Sequence, residues 1–332
     1  MEFDIWRALF YLIGIMAFAG LNAAYLTYAE RKGAAWIQRR SGPTEVGPAG
    51  LLQPFADALK LMSKQLVVPG CVDNIVFRVA PILAMIPALT SMAVIPFSGN
   101  IQARAMELSV LLIFALASIS MMAILLGGWA SNNKYAMISA ARGVSQNLAY
   151  EIPMLLGVIT VVMISGSLEL RDIAISQQGG IGQWNVFRVE NGHIFTMWVT
   201  FIIFFICSLA ETNRAPFDMA EAESELVAGY MTEYGSMGFA LFMMAEYLNI
   251  VVGACLTAIL FLGGWDCPFG KTPGVWWFII KIYLLIFTFI WIRWTYPRTQ
   301  IYRLLNLSWK VLIPFSLVNL MITAALIKFK VF

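Results

Sequence analysis

Apolar residues dominate eight long stretches of the chain, at about 8–29, 79–97, 108–130, 144–166, 194–209, 237–262, 275–292 and 311–327. A hydrocarbon core about 30 Å thick is crossed by roughly 20 such residues in a helix rising 1.5 Å per residue. The pattern therefore predicts an all-α, polytopic membrane protein of about eight transmembrane helices, with residues 1–332 forming a single integral membrane domain. Between the first two stretches, Ser41-Gly42-Pro43 and Gly47-Pro48-Ala49-Gly50 break the chain. After them Leu52, Phe55, Leu59, Met62 and Leu66 recur at spacings of three and four, while Asp57, Lys60 and Lys64 fall on the other face. This predicts an amphipathic helix at about 51–66 lying on the membrane surface. Glu2 and Asp4 precede the first stretch, where a cleavable signal would be basic, so that stretch is expected to remain as a span.

Composition agrees. Hydrophobic residues make up 60% of the chain and charged residues only 12%, about half the charged share of a soluble domain. The net charge of +3 has no basic stripe to go with it, which excludes nucleic acid as a partner. Loops after odd-numbered spans hold Arg31, Lys32, Arg39, Arg40, Lys60, Lys64, Lys134, Arg142, Arg214, Arg298 and Arg303. Those on the other side hold Arg7, Arg104, Arg171, Arg188, Lys271, Lys328 and Lys330. The first loop is the most basic, which places the odd-numbered loops in the cytoplasm and both termini outside. Cys71, Cys207, Cys255 and Cys267 form no paired motif, and His193 is the single histidine. Gly179-Gly180-Ile181-Gly182 lacks the strand and helix of a dinucleotide fingerprint. The chain is expected to hold no redox centre of its own.

Acids lie where they are expensive. From Glu211 to Glu246 the chain carries Glu211, Asp218, Glu221, Glu223, Glu225, Glu233 and Glu246, against Arg214 as the sole Lys or Arg. A carboxylate at mid-bilayer costs about 2.5–3.5 kcal/mol on insertion scales, so such groups mark an ion or proton path. On a helix Asp218, Glu221 and Glu225 share a face; on an extended chain Glu221, Glu223 and Glu225 do. Both geometries crowd like charges and raise some of their pKa values, as a proton relay requires. A helix running from Glu233 to Glu246 would carry the path into the sixth span. Glu151 precedes Pro153 inside the fourth span, which points either to a hydrated kink or to a structural pair with Arg142 or another helix.

Longer motifs carry a resemblance. They are Ala29-Glu30-Arg31-Lys32, Gln38-Arg39-Arg40-Ser41-Gly42-Pro43, Leu52-Gln53-Pro54-Phe55-Ala56-Asp57 and Gly128-Trp129-Ala130-Ser131-Asn132-Asn133-Lys134. The strongest is Ala210-Glu211-Thr212-Asn213-Arg214-Ala215-Pro216-Phe217-Asp218, followed by Glu223-Ser224-Glu225-Leu226-Val227, Glu233-Tyr234, Pro268-Phe269-Gly270-Lys271 and Tyr296-Pro297-Arg298. Across nearly its whole length the chain resembles the H-subunit family of proton-pumping NADH:quinone oxidoreductase (respiratory complex I), counterpart of mitochondrial NADH dehydrogenase subunit 1. The resemblance implies a subunit of the cell inner (cytoplasmic) membrane that forms the membrane end of a quinone cavity, with quinone as substrate. FMN and iron–sulfur clusters are then expected in partner subunits. Expected partners are the hydrophilic quinone-module subunits, small and antiporter-like membrane subunits, and membrane lipid. Glu30, Arg31, Asp57, Arg214, Phe217, Asp218, Arg293 and Arg298 are implied as quinone-cavity residues. Glu151, Glu211, Glu221, Glu223, Glu225, Glu233 and Glu246 are implied as an acidic relay, with Arg142 as its partner.

The chain departs from the family at Gln65 and at Gln300-Ile301-Tyr302-Arg303, a region that faces the docked hydrophilic arm in the family. The alternatives are a membrane subunit of an energy-converting hydrogenase or ferredoxin-linked relative, expected to lack the quinone-mouth residues, and a stand-alone secondary transporter, expected to show inverted-repeat halves.

Overall fold

A computed structural model describes residues 5–99, 101–188, 194–221, 223–270 and 272–329. Expectations placed on Glu2, Asp4, His193, Lys271 and Lys330 lie outside these residues, as do those on the side chains of Arg7 and Glu223. Among the described residues there is no strand, and the fold is all-helical. The helices are α1 (Ile5–Ile37), α2 (Gln53–Ser63), α3 (Asn74–Val94), α4 (Ser109–Ala130), α5 (Lys134–Ser165), α6 (Leu170–Ile175) and α7 (Ile194–Glu211). They continue with α8 (Glu223–Leu226), α9 (Ser236–Phe261), α10 (Val275–Thr295), α11 (Ile301–Leu307) and α12 (Ile313–Lys328).

Seven helical runs are long and apolar enough to cross a membrane, and α7 is a shorter apolar helix of 18 residues. The protein is thus a multi-pass membrane protein, as the eight stretches predict. Three boundaries differ. The first helix runs on to Ile37, so that Glu30 and Arg31 stand on a rigid helix instead of a loop. The surface helix stops at Ser63, short of Leu66, because the Ser236 hydroxyl donates to the carbonyls of Leu61 (3.0 Å) and Lys64 (2.6 Å) and draws the chain into an extended form. The last span begins at Ile301 and passes through a π-helical turn, Ser308–Leu312, into α12.

α9 is the axis of the bundle. It packs against α1, α2, α3, α6, α7 and α10, and it is the most enclosed of the candidate spans. A second stack, α4–α5–α7–α12, meets the first where α7 packs on α9 and α4 on α3. Asn133 caps α5 by accepting from the Tyr135 N–H at 2.9 Å, and Gly166 ends it in the left-handed conformation with φ 72°. α2 is tied to α1 by Arg31–Asp57 at 2.6 Å and by the Tyr28 hydroxyl on the Ala49 carbonyl at 2.8 Å. Its apolar stripe of Leu52, Phe55, Leu59 and Met62 remains exposed, as a helix lying on a membrane requires.

At the far end of α9, Lys281 donates to the carbonyls of Leu262, Gly264 and Asp266 at 2.6, 2.9 and 2.8 Å. Its ammonium lies 3.9 Å from the Trp184 ring centre. The Asp266 carboxylate in turn accepts from the Gly180 N–H and the Trp184 indole. The glycine-rich 179–182 stretch is therefore part of a lock on the turn that follows α9, whose carbonyls Lys281 satisfies.

Candidate functional site

Arg214 follows the end of α7 and is 5% exposed, enclosed by α1, α9 and α10. One nitrogen lies 3.4 Å from Glu30 of α1 and another 3.3 Å from Glu246 of α9. Its guanidinium plane stands over the Tyr247 ring, 4.5 Å from the centroid. The Tyr247 hydroxyl donates to Glu30 at 2.5 Å, the Tyr230 hydroxyl donates to Glu246 at 2.8 Å, and Arg293 of α10 donates to the second oxygen of Glu30. Two cations and two anions thus alternate in a buried, hydrogen-bonded row, the arrangement in which a buried ion pair offsets its desolvation cost. Burial alone would lower the Arg214 pKa, but Glu246, Tyr247 and Glu221 outweigh it and raise it, so the guanidinium stays charged. Burial and the Glu246 charge raise the Tyr230 pKa, which keeps that hydroxyl a donor.

Beside this row lies a cavity of about 20 Å³ with Glu30, Arg214 and Arg293 at one end and Leu26, Ile286, Phe289 and Ile290 as its apolar wall. On the other side of Arg214 runs a series of small polar cavities, all bordered by Glu211. The first, about 30 Å³, also touches Glu246, Asn213, Tyr230 and Asn249. The second, about 20 Å³, touches Glu151, Asn147 and Tyr150. The third, also about 20 Å³, touches Ser91, Ser120 and Asn249. A cavity of 10–15 Å³ on this measure admits one water where polar partners exist. The Asn147 side-chain oxygen, lining two of these cavities, is buried with no protein partner. The Ser118 hydroxyl donates to Glu151 at 2.7 Å. Glu151 therefore borders a cavity and is tied to α4 through Ser118, while Arg142 is bonded to Glu225 instead.

The acidic connection folds neither as one helix nor as a strand. The Asp218 carboxylate accepts from the Glu221 N–H at 3.2 Å in a tight turn, and a single helical turn, α8, follows. At Gly229, φ is 61° and a Cβ would fall 1.9 Å from the Ala220 carbonyl oxygen, so only glycine lets the loop close on itself. Glu221 hydrogen-bonds Glu246.

The remaining acids separate. Glu225 is exposed, and the hydrogen bond from Arg142, 2.6 Å away, holds its carboxyl below the usual range against a small burial effect. Crowding therefore does not raise this acid's pKa, contrary to the sequence expectation. Glu233 accepts from Asn133 at 2.7 Å and precedes α9, so no single helix joins it to Glu246. Phe217 packs on Tyr150 with ring centres 5.6 Å apart, and Arg298 donates to the Asp218 carbonyl at 3.3 Å.

Burial, and then the Glu221 charge, push the Asp218 pKa up to about 6, against the pull of Arg298 and Arg214. Because this lies above the ordinary 3.8, the ionised form costs stability above about pH 6, and acidification from 6 towards 4 relieves it. The activity of the intact assembly should show an inflection near pH 6 that Asp218→Asn removes; an unchanged profile in that variant would assign the inflection elsewhere.

The sequence pattern did not single out Tyr230, Tyr247, Ser118, Asn147, Asn213 and Asn249, the neutral groups that wire the charges together. Tyr247 directly follows Glu246, and Asn147 lies one helical turn before Glu151; polar residues one turn from an intramembrane acid were the available signal. Lys281 in an apolar span was equally visible. Among the described residues no group of three or more His, Cys, Asp or Glu is placed to hold a metal.

This is a polytopic membrane protein in which a buried charge row joins an apolar-walled cavity near one membrane face to polar cavities inside the bundle. The chain belongs to the NADH dehydrogenase family, whose model matches residues 10–324. It is 65% identical over 315 residues to the NADH-quinone oxidoreductase H subunit of Desulfotalea psychrophila, covering 94% of each chain. It is 44% identical over 330 residues to the NADH-quinone oxidoreductase H subunit of Paramagnetospirillum magneticum, covering 97% of this chain and 94% of that one. To the corresponding H subunit of Carboxydothermus hydrogenoformans it is 42% identical over 322 residues, covering 96% and 89%.

Proposed function

We propose that the chain is the membrane subunit of an NADH:quinone oxidoreductase that seats the quinone head group at the Glu30–Arg214–Arg293 row and passes protonation changes there to an acidic relay. One observation carries this reading: Arg214 borders the apolar-walled cavity on one side and, through Glu246, the Glu211 cavities on the other. A quinone has a polar ring and an apolar tail, which suits cations at the end of an aliphatic wall; at about 20 Å³ the cavity as it stands holds one water, so the ring enters by widening it between α1 and α10. Reducing it to the quinol takes up two electrons and two protons. The electrons come from FMN and iron–sulfur clusters in partner subunits. The protons, or the charge that draws them, are felt first by Glu30 and Arg214.

Arg293 and Arg214 hold the carbonyl end of the ring in position. The tyrosines fix the carboxylates of Glu30 and Glu246, so that a change of charge at the ring alters the balance at Arg214. Glu246, Glu221, Glu211 and Glu151 form the relay, handing protons across the cavities through water. Asp218 and Arg298 flank its loop. Glu225 with Arg142, and Glu233, stand at its outer edge, and Arg31 with Asp57 fixes α2 at the mouth. The face with α2 and the acidic loop is cytoplasmic, in the inner membrane, where the hydrophilic quinone-module subunits dock; small and antiporter-like membrane subunits adjoin the relay.

Photolabelling tests the seat. Irradiating the intact complex with a short-tailed azidoquinone should label peptides containing 26–33, 209–217 or 286–298, with protection by excess quinone. Label confined to other subunits would refute the assignment.

A further inference from the structure

Asp266 is the last acid of the chain; beyond it come only Lys271, Lys281, Arg293, Arg298, Arg303, Lys310, Lys328 and Lys330. Lys281, Arg293 and Arg298 have partners inside the protein. Arg303 and Lys310 are exposed and make no ion pair or hydrogen bond among the described residues. Their place in the membrane follows from spacing. Lys310 and Lys328 are eighteen residues apart with no charge between them, about 27 Å of helix. That matches a hydrocarbon core of about 30 Å. Lys310 therefore marks one hydrocarbon edge, the one on the same side as α2, with the exposed indole of Trp309 beside it in the position of an interfacial belt residue.

The face these groups occupy is fixed by packing. Leu304, Ser308 and Leu312 are buried; the Tyr150 hydroxyl donates to the Leu304 carbonyl and the Ser308 hydroxyl donates to the Ala149 carbonyl, pinning this strip to α5. Residues four apart drift by about 40° per step on an α-helix. The wider π turn at Ser308–Leu312 offsets that drift and keeps one strip turned inward. Half a turn away at each level stand Tyr302, Asn306 and Lys310, all exposed. Arg303 lies about 10 Å further along the axis from Lys310, a gap two long basic side chains close from both ends. Below Lys310, Val311, Phe315, Val318 and Ile322 form an exposed apolar stripe along α12.

We propose that this face binds an anionic phospholipid, its phosphate held between Arg303 and Lys310 and one acyl chain laid along Val311, Phe315, Val318 and Ile322. Charge complementarity selects the occupant over the hydrophilic arm, which faces 300–303 in the family where this chain departs from it: two cations with no ion pair or hydrogen bond among the described residues and no acid on the same face, set at the level of lipid phosphates. Asn306 and Tyr302 offer donors for the phosphate or glycerol oxygens. A zwitterionic lipid carries its own ammonium against these cations and competes poorly. Each basic residue near an anionic headgroup layer is worth about five-fold in affinity, roughly 25-fold for the pair.

The test uses the whole complex in nanodiscs of phosphatidylcholine with a minor share of phosphatidylglycerol. A photoreactive benzophenone side chain placed at the exposed Trp309, beside Lys310, captures whatever lies against it. The expected adduct is phosphatidylglycerol, enriched well above its bulk share. Arg303→Gln with Lys310→Gln should bring the enrichment down by about 25-fold, Lys310→Arg should keep it, and Lys328→Gln at the opposite edge should leave it unchanged. If the double variant fails to assemble, Lys310→Gln alone should lose about five-fold. Capture of another subunit's polypeptide, or a lipid adduct at the bulk ratio in the parent complex, overturns the proposal.

Discussion

Arg214→Met should abolish quinone reduction while the hydrophilic arm continues to pass electrons from NADH to an artificial acceptor. The guanidinium is the only cation within reach of both Glu30 and Glu246 among the described ion pairs, and methionine leaves those carboxylates facing each other in a buried site. Leaving a buried charge without its partner costs about 3–5 kcal/mol. As a barrier that corresponds to a loss of a few hundred-fold or more in rate. Arg214→Lys should recover little, because a compact ammonium cannot bond two carboxylates set on different helices while lying over the Tyr247 ring. The measurement is quinone-dependent against artificial-acceptor NADH oxidation on equal amounts of assembled complex. Retention of quinone reduction within three-fold of the parent would remove Arg214 from the centre of the site.

Much of this arrangement is legible in the sequence, for identifiable reasons. Membrane spans announce themselves because each requires a long uncharged run, and the eight apolar stretches correspond to α1, α3, α4, α5, α7, α9, α10 and α12. Acids inside such runs are costly, which singles out Glu151, Glu211 and Glu246. What periodicity cannot convey is how a loop folds over helix ends. The stretch from Asp218 to Leu226 offers two regular geometries on paper and takes neither, because the Asp218 cap, Gly229 and the Ser139 hydroxyl on the Ala220 carbonyl impose a tighter path. That path turns Glu221 towards Glu246 and leaves Glu225 outside on Arg142. Equal acids in one sequence motif thus acquire unequal surroundings. The pairing of Glu30 with Arg214, 184 positions apart, is a tertiary fact with no local signal.

That inequality sets the second large effect. Glu211 borders every polar cavity between Glu246 and Glu151, so a proton moving between those two acids passes it. Glutamine has the same shape and similar hydrogen bonding but no exchangeable carboxyl proton, and Glu211→Gln should lower proton uptake and coupled quinone reductase turnover by about a hundred-fold, the lower end of the range for loss of a positioned proton-transfer group. Glu211→Asp, which still titrates but is shorter by one methylene, should fall less. Glu225→Gln removes an exposed ion pair, 57% exposed on the acid's side, of a kind worth at most about 1 kcal/mol, and should stay within about three-fold of the parent. The comparison is made in proteoliposomes at matched complex content, following proton uptake with quinone-dependent NADH oxidation. If Glu211→Gln pumps normally, or if Glu225→Gln is the more damaging of the two, the Glu211 cavities are not the path, and the acids serve instead to hold the arginines and the loop in place.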